Sequence, residues 1–222
     1  MQLETRKLGC ERDERWLFSD LDWQIGAGEL WRIEGPNGSG KTTLLRILSG
    51  QMADYTGTLL WQGEPLSRCR ETFMASMLYI GHRPGIKRAL TALENLDWYQ
   101  AMSAVKEGGA RARRDACFQA LEAVGLAGFE ETPVESLSAG QQRRVALARL
   151  ALGHQWLWIL DEPFTAIDHD GVRQLEAWMT AHCRAGGSVV VTSHHDSGEL
   201  SPASGVLRNL RFDGLGGVHV DR

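Results

Sequence analysis

Residues 35–42 constrain the fold of this chain more than any other stretch. They match the phosphate-binding loop pattern G-x-x-x-x-G-K-[ST] at every fixed position. The apolar run at residues 29–34 predicts a buried strand before the match, and residues 43–48 predict a helix that Gly50 ends. Strand, glycine-rich loop and helix is the arrangement in which this motif binds phosphate. The sequence therefore predicts a nucleoside triphosphate site.

The residue types in this loop suit a triphosphate. Glycines let the backbone curl so that successive N–H groups point inward, and the following helix adds its N-terminal N–H groups and partial positive charge. Lys41 supplies a mobile charge for the β- and γ-phosphates, and the Thr42 hydroxyl supplies a ligand for Mg²⁺. The residues predicted to contact the nucleotide here are Gly35, Pro36, Asn37, Gly38, Ser39, Gly40, Lys41, Thr42 and Thr43.

Composition limits the classes of partner. A length of 222 residues fits one large domain, or a core with an inserted subdomain, and the net charge of −4 gives no basic field for nucleic acid. The four cysteines form no C-x-x-C pair, so neither a zinc site nor a disulfide framework is indicated. No signal peptide is visible at the polar N-terminus, and no apolar run approaches the ~20 residues of a membrane span. Any membrane role is therefore expected to be peripheral.

The hydrophobic pattern predicts an α/β fold with a core rich in strands and a helical insert. Residues 1–9 and 17–25 partly alternate and predict an antiparallel pair at one edge. Residues 86–150 are helical in character and predict an inserted subdomain within a core formed by residues 1–85 and 151–222. The further strands are expected at residues 29–34, 58–61, 77–80, 156–160 and 188–192, with short strands in the glycine-rich tail.

The insert carries recognisable helix signals. Thr91 and Glu94 have the spacing of a capping box and predict a helix that runs to about residue 103. A second helix is expected over residues 111–124. Ser138 is a residue type that caps helices, and it predicts a third helix over residues 142–152.

Two carboxylates follow the apolar run at residues 156–160. Ligands of parallel sheets bind outside the carboxyl ends of the strands, so Asp161 is expected beside the phosphate-binding loop as a partner of Mg²⁺. Glu162, one residue further on, is placed to accept a proton from an attacking water.

The order of these motifs resembles the nucleotide-binding subunits of ATP-binding cassette (ABC) transporters. Residues 137–141 are similar to the family's signature motif, with Ala139 in place of a glycine, and residues 165–168 are similar to its D-loop. The resemblance implies a P-loop core with ATP and Mg²⁺ as cofactors, and a nucleotide-dependent head-to-tail homodimer. In such a dimer the signature residues of one subunit contact the nucleotide of the other. The residues that this resemblance adds are Leu137, Ser138, Ala139, Gly140, Gln141 and Asp168, with His194 as the γ-phosphate contact.

The chain departs from the family pattern in two places. His82 stands where these ATPases usually carry a glutamine that touches magnesium and senses the membrane partner. An imidazole can also ligate a metal, although its charge changes near neutral pH. By rough alignment, the position of the aromatic side chain that usually stacks on adenine falls at Arg12, with Trp16 nearby. Either side chain could stack. The alternative is that Arg12 is an exposed turn residue and Trp16 a core residue. His195 and Asp196 lie beside His194, which leaves open which histidine acts.

The sequence around His82 and two other stretches resemble one subfamily. Residues 34–42, 79–87 and 90–96 are similar to the ATP-binding subunits of bacterial cytochrome c maturation systems, often called haem exporters. The resemblance implies a peripheral subunit on the cytoplasmic face of the inner membrane, docked on membrane-spanning subunits. ATP hydrolysis there would drive haem export or the release of a haem-loaded chaperone.

Other functions remain compatible with the motifs. The chain could serve another ABC exporter, of the drug or lipid type, or act as a soluble ABC ATPase in cofactor assembly. A non-catalytic regulator gated by nucleotide is a further alternative. The presence of both Glu162 and His194 favours hydrolysis over that last role.

Overall fold

The computed structural model describes residues 1–102, 109–193 and 207–221. Those ranges contain ten strands, six α-helices and a 3₁₀ turn at Val134–Ser136. The strands are β1 (Gln2–Arg12), β2 (Arg15–Gly26), β3 (Leu30–Glu34), β4 (Thr56–Trp61), β5 (Glu64–Pro65), β6 (Met77–Ile80), β7 (Leu157–Leu160), β8 (Ser188–Thr192), β9 (Leu207–Phe212) and β10 (Val218–Val220). The helices are α1 (Lys41–Leu48), α2 (Arg70–Ser76), α3 (Ala92–Met102), α4 (Ala110–Ala123), α5 (Ala139–Leu152) and α6 (His169–Arg184).

The strands form the two kinds of sheet that the sequence predicts. The smaller sheet has the order β2-β1-β4-β5 and its pairs are antiparallel. The larger sheet has the order β10-β9-β3-β8-β7-β6, and β3 pairs in parallel with both β8 and β9. Strand β3 therefore ends in the middle of the larger sheet, which places the loop that follows it at the carboxyl edge of the parallel strands.

The burial pattern explains both sheets. Leu21, Trp23 and Ile25 of β2 are buried in alternation with polar neighbours, as expected for a strand with one solvated face. Every residue of β7 and of β8 is buried, because those strands are covered on both faces. Trp158 of β7 is buried, and Trp156, just before that strand, is partly buried against the core.

The helix boundaries follow local capping chemistry. The capping box predicted at Thr91 is confirmed, since Glu94 N–H donates to Thr91 Oγ1 at 3.1 Å and Thr91 N–H donates to Glu94 Oε2 at 2.8 Å. Gly50 has a φ of 67° just after α1, as predicted for a residue that ends a helix. The sequence pattern does not predict α2, a short helix in which only Phe73 is buried.

The chain divides into two compact units. The first contains Met1–Tyr79, Gln155–Pro163 and Glu176–Arg222, and the second contains Ile80–His154 and Phe164–Leu175. The second unit has its own apolar core, in which α3, α4 and α5 meet through residues such as Leu93, Leu121 and Val145. In the described part of the chain, no helix has both the length and the apolar character needed to cross a membrane.

Gly57→Ala is expected to lower the free energy of unfolding by about 3 kcal/mol. Gly57 has a φ of +85°, which costs an alanine roughly 1 kcal/mol. A Cβ there would also lie 2.2 Å from the carbonyl oxygen of Lys7, and such overpacking adds roughly 1–3 kcal/mol. Urea denaturation followed by circular dichroism measures the loss.

Gly63→Ala is the matched control for this prediction. Gly63 has nearly the same φ, +84°, but no atom lies within 4 Å of the position that a Cβ would take there. It should therefore show only the cost of the left-handed backbone. Equal destabilisation of the two variants would contradict the steric explanation.

Candidate functional site

The loop between β3 and α1 is shaped by glycines. Gly35 has a φ of +144°, and a Cβ there would lie 2.7 Å from Phe212 Cβ and 2.9 Å from the Phe212 carbonyl oxygen. Gly40 precedes α1 with a φ of +106°, and its Cβ would lie 3.0 Å from Leu17 Cβ. Both positions combine a left-handed backbone with close neighbours, so only glycine fits the loop without rearrangement.

Lys41 places a cation over this loop. Its Nζ donates hydrogen bonds to the carbonyl oxygens of Gly35 at 2.6 Å and Pro36 at 2.9 Å. Burial lowers the pKa of Lys41, and the carboxylates of Glu162 and Asp161 partly offset that lowering. The side chain is thus held in the loop by backbone carbonyls, in position to contact an anion that enters it.

A cavity of about 400 Å³ opens beside Lys41. Ser39 Oγ is buried next to it in the loop and has no hydrogen-bond partner among the residues that the structure describes. A buried hydroxyl of this kind can donate to a phosphate oxygen. The cavity is lined by Leu17, Asn37, Gly38, Gly40, Lys41, Thr42, Thr43 and Glu162.

Glu162 lines this cavity, and the preceding residue, Asp161, is hydrogen-bonded to Thr42, another residue of its lining. Asp161 is 1% exposed, and its Oδ1 accepts hydrogen bonds from Thr192 Oγ1 at 2.7 Å and Thr42 Oγ1 at 3.3 Å. Thr192 Oγ1 also accepts the backbone N–H of Glu162 at 2.9 Å. Thr192, at the end of the neighbouring strand β8, therefore orients both acidic residues, and the sequence pattern gives it no role.

Glu162 has a backbone conformation that its residue type adopts rarely. Its φ is +49°, in the left-handed region. Such a conformation costs energy and persists where the surrounding structure enforces it, and here the Thr192 hydroxyl holds the Glu162 N–H. The result is a carboxylate on the wall of the cavity beside Lys41.

The donors at this end of the cavity fit Mg²⁺. Thr42 Oγ1 and Asp161 Oδ1 are 3.3 Å apart, and both are hard oxygen atoms of the kind that Mg²⁺ prefers. Among the described residues, no cluster of three or more His, Cys, Asp or Glu side chains could hold a metal ion by itself. A metal that uses one carboxylate, one hydroxyl and the phosphates of its substrate requires no such group.

The loop that contains His82 is pinned within the second unit. Buried Arg143 donates to the carbonyl oxygen of Gly81 at 2.9 Å, and Tyr99 Oη donates to the carbonyl oxygen of Gly85 at 2.5 Å. Asn95, also buried, accepts the N–H of Lys87 at 2.7 Å. His82 itself is exposed, and its contact with a metal stays a prediction.

The signature residues begin α5 rather than precede it. The sequence pattern predicts a helix from residue 142, whereas α5 begins at Ala139. Ser138 Oγ accepts the Gln141 N–H at 3.2 Å, and Gln141 Oε1 accepts the Ser138 N–H at 2.9 Å. This capping box places Gly140 and Gln141 in the first helical turn, which corrects the predicted boundary. Leu137 is buried in the core of the second unit.

Asp168 caps the start of α6. Its Oδ1 accepts the N–H of Gly171 at 2.9 Å, and its Oδ2 accepts a hydrogen bond from Arg144 at 2.6 Å. His194, His195 and Asp196 lie outside the described residues, so the choice between the two histidines stays open.

The two candidates for stacking on adenine differ in their surroundings. Arg12 forms an ion pair with Asp54 at 3.2 Å and donates to Met52 Sδ at 3.4 Å. Trp16 is 43% exposed, and the next residue, Leu17, lines the cavity.

The sequence pattern does not identify Leu17 as part of the site. An alternating strand predicts that it points to the core, and only the packing against Gly40 reveals its position.

Comparison with known proteins agrees with this geometry. Residues 18–165 match the family model described as ABC transporter. The chain is 54% identical to the cytochrome c biogenesis ATP-binding export protein CcmA of Pseudomonas putida KT2440 over 195 residues, covering 88% of this chain and 90% of that protein. Identity to the protein of the same name from Escherichia coli K12 is also 54%, over 208 residues, covering 94% and 95%.

Solved structures resemble the whole chain. A dimeric ATP-binding cassette in a post-hydrolysis state, bound to ADP and phosphate, superposes with a TM-score of 0.84 at 22% identity, covering 99% of this chain and 97% of that chain. An ATP-binding subunit of an ABC transporter superposes with a TM-score of 0.83 at 23% identity, covering 98% and 88%. These superpositions confirm the predicted α/β fold of the ABC ATPase type.

Proposed function

Because this chain belongs to the ABC transporter family of ATPases, we propose that it is the ATP-hydrolysing subunit of a complex for cytochrome c maturation. The observation that carries the proposal is the 54% identity to CcmA proteins over 88% or more of the chain. The complex would use ATP hydrolysis for haem export or for the release of a haem-loaded chaperone.

The residues at the cavity have distinct roles in the proposed reaction. Residues 35–43 bind the phosphates, with Lys41 as the cation at the β- and γ-phosphates. Thr42 and Asp161 hold Mg²⁺, which when bound neutralises charge on the phosphate oxygens. Glu162 accepts a proton from the attacking water, and His194 contacts the γ-phosphate.

The proposed active form is a head-to-tail homodimer. The signature residues, from Leu137 to Gln141, would contact the nucleotide bound by the partner copy, and Asp168 would lie at the interface. The capping box at Ser138 supports this role, because it fixes the first turn of α5 before any partner binds. The proposed division into a core of residues 1–85 and 151–222 and a helical insert of residues 86–150 rests on the helical character of the sequence in that insert.

The proposed location is the cytoplasmic face of the bacterial inner membrane. The chain would be a peripheral subunit docked on membrane-spanning partners, with His82 in the loop that senses them. The hydrogen bonds that hold that loop support a sensing role. Arg143 of α5 donates to the carbonyl oxygen of Gly81, next to His82, so a displacement of His82 would also displace Arg143 and α5.

A pull-down tests the proposal. The chain is tagged in its own host, membranes are extracted in mild detergent, and the eluate is examined for co-purifying proteins, haem absorbance and ATP hydrolysis. Multi-span partners together with haem are expected, and the tag alone is the control. Membrane partners without haem would instead favour a drug or lipid exporter, and a soluble complex would favour an ATPase of cofactor assembly.

A further inference from the structure

Arg144 joins two segments of the second unit that are far apart in sequence. It lies in the second turn of α5, and its Nη2 donates to Asp168 Oδ2 at 2.6 Å, across 24 residues. Its Nη1 donates to the carbonyl oxygen of Val124 at 3.4 Å. A Cβ on Gly125 would lie 3.0 Å from the same nitrogen, so the guanidinium is seated against this turn rather than extended into solvent.

Asp168 is held from two sides. The N–H of Gly171 and then the guanidinium of Arg144 lower the pKa of Asp168. Because one carboxylate oxygen caps α6 and the other meets Arg144, the two contacts together restrain the Asp168 side chain at the point where the chain enters α6.

A second contact ties the same two segments together. A Cβ on Gly140 would lie 2.7 Å from the carbonyl oxygen of Ala166, so the first turn of α5 and the backbone of residues 165–168 are in direct contact. Ala166 has a φ of +63°, a left-handed conformation that a non-glycine residue adopts at a cost. A conformation of this kind is maintained by its neighbours, and the Arg144–Asp168 pair lies two residues away.

We propose that Arg144 is a positioning residue that holds residues 165–168 against the start of α5. In each subunit, residues 165–168 then move together with the start of α5, which presents Ser138 and Gly140. This inference rests on the proposed ATPase function, in which both segments meet the partner copy. Arg144 does not line the cavity that receives the phosphates, so its loss should lower kcat much more than it changes the KM for ATP.

Kinetics of four variants in the tagged membrane complex test the proposal. Arg144→Met and Asp168→Asn should each lower kcat roughly 3- to 30-fold, the range for coupling through one contact. The double variant should be no slower than the worse single variant, because both remove the same ion pair. Arg144→Lys should recover part of the rate, and KM for ATP should stay within about twofold throughout.

A second ion pair provides matched controls. Arg173 and Asp170 are paired on α6 at 76% and 83% side-chain exposure, and such surface pairs contribute little. Arg173→Met and Asp170→Asn should therefore retain the wild-type kcat. Wild-type kcat in Arg144→Met, or fully additive losses in the double variant, would overturn the positioning role.

Hydrogen exchange of the full-length chain without nucleotide gives a readout independent of catalysis. Peptides that cover residues 164–171 should exchange faster in Arg144→Met, and Asp168→Asn should act in the same direction, while Arg173→Met leaves them unchanged. Unchanged exchange in Arg144→Met would overturn the inference. Absence of ATP hydrolysis by the wild-type complex would reject the proposed function, and the exchange experiment would still decide the role of Arg144.

Discussion

Glu162→Gln is expected to lower kcat for ATP hydrolysis roughly 10²–10⁴-fold, the usual contribution of a general base, while ATP still binds. Glu162 lines the phosphate cavity, and its backbone is held by the Thr192 hydroxyl at 2.9 Å. Glutamine preserves the size and backbone of this residue but cannot accept the proton of the attacking water. A nucleotide-bound dimer should therefore accumulate, since the step that would separate it is blocked.

Phosphate release and size-exclusion chromatography with ATP measure the two effects of Glu162→Gln. Glu131→Gln is the control, because Glu131 is an exposed carboxylate that pairs with Arg114 at 3.0 Å in the other compact unit. Turnover within a few-fold of wild type in Glu162→Gln would assign the base to another group.

Lys41→Ala is expected to weaken ATP binding roughly 10- to 100-fold, the equivalent of one hydrogen bond to a charged group. It should also lower kcat roughly 10²–10³-fold, because the same cation would stabilise charge that develops on the transferred phosphoryl group. Lys41 lines the cavity and is already oriented by the carbonyl oxygens of Gly35 and Pro36. An alanine removes both the charge and these restraints on the loop.

Titration with a fluorescent ATP analogue, followed by steady-state kinetics, measures both losses in Lys41→Ala. Lys7→Ala removes an exposed lysine from β1 and should change neither quantity. Circular dichroism of each variant separates loss of binding from loss of folding. An unchanged affinity in a folded Lys41→Ala variant would show that the loop does not bind the triphosphate through this residue.

Local chemistry made much of the site predictable. The glycines of residues 35–40 and the carboxylates after β7 follow from short motifs whose geometry is fixed by adjacent residues. The boundary of α5 was also within reach, because Ser138 and Gln141 have the same three-residue spacing as Thr91 and Glu94. Gly140 is an unfavourable residue type inside a helix, and its close approach to the Ala166 carbonyl oxygen gives a physical reason for a glycine there.

The parts that the sequence does not predict depend on which strands become neighbours. Thr192 meets Asp161 across 31 residues, and that contact exists because β8 lies beside β7 in the sheet. Leu17 reaches the cavity because β2 passes the start of α1. The hydrophobic periodicity of β2 itself does not predict this contact. Packing between distant segments decides these positions, whereas motifs depend on residues close in sequence.

The support of the phosphate-binding loop by the last strands has a consequence for synthesis on the ribosome. Strand β3 pairs with β9, Arg211 Nε donates to Glu34 Oε2 across 177 residues, and Gly35 packs on Phe212. Synthesis at 5–20 residues per second takes about 10–45 s for a chain of this length. The phosphate-binding loop is encoded in the first fifth of the chain, yet one of the two strands that flank β3 is available only after residues 207–212 have emerged. We therefore expect a nascent chain that stops before residue 207 to bind nucleotide more weakly than a chain that contains β9.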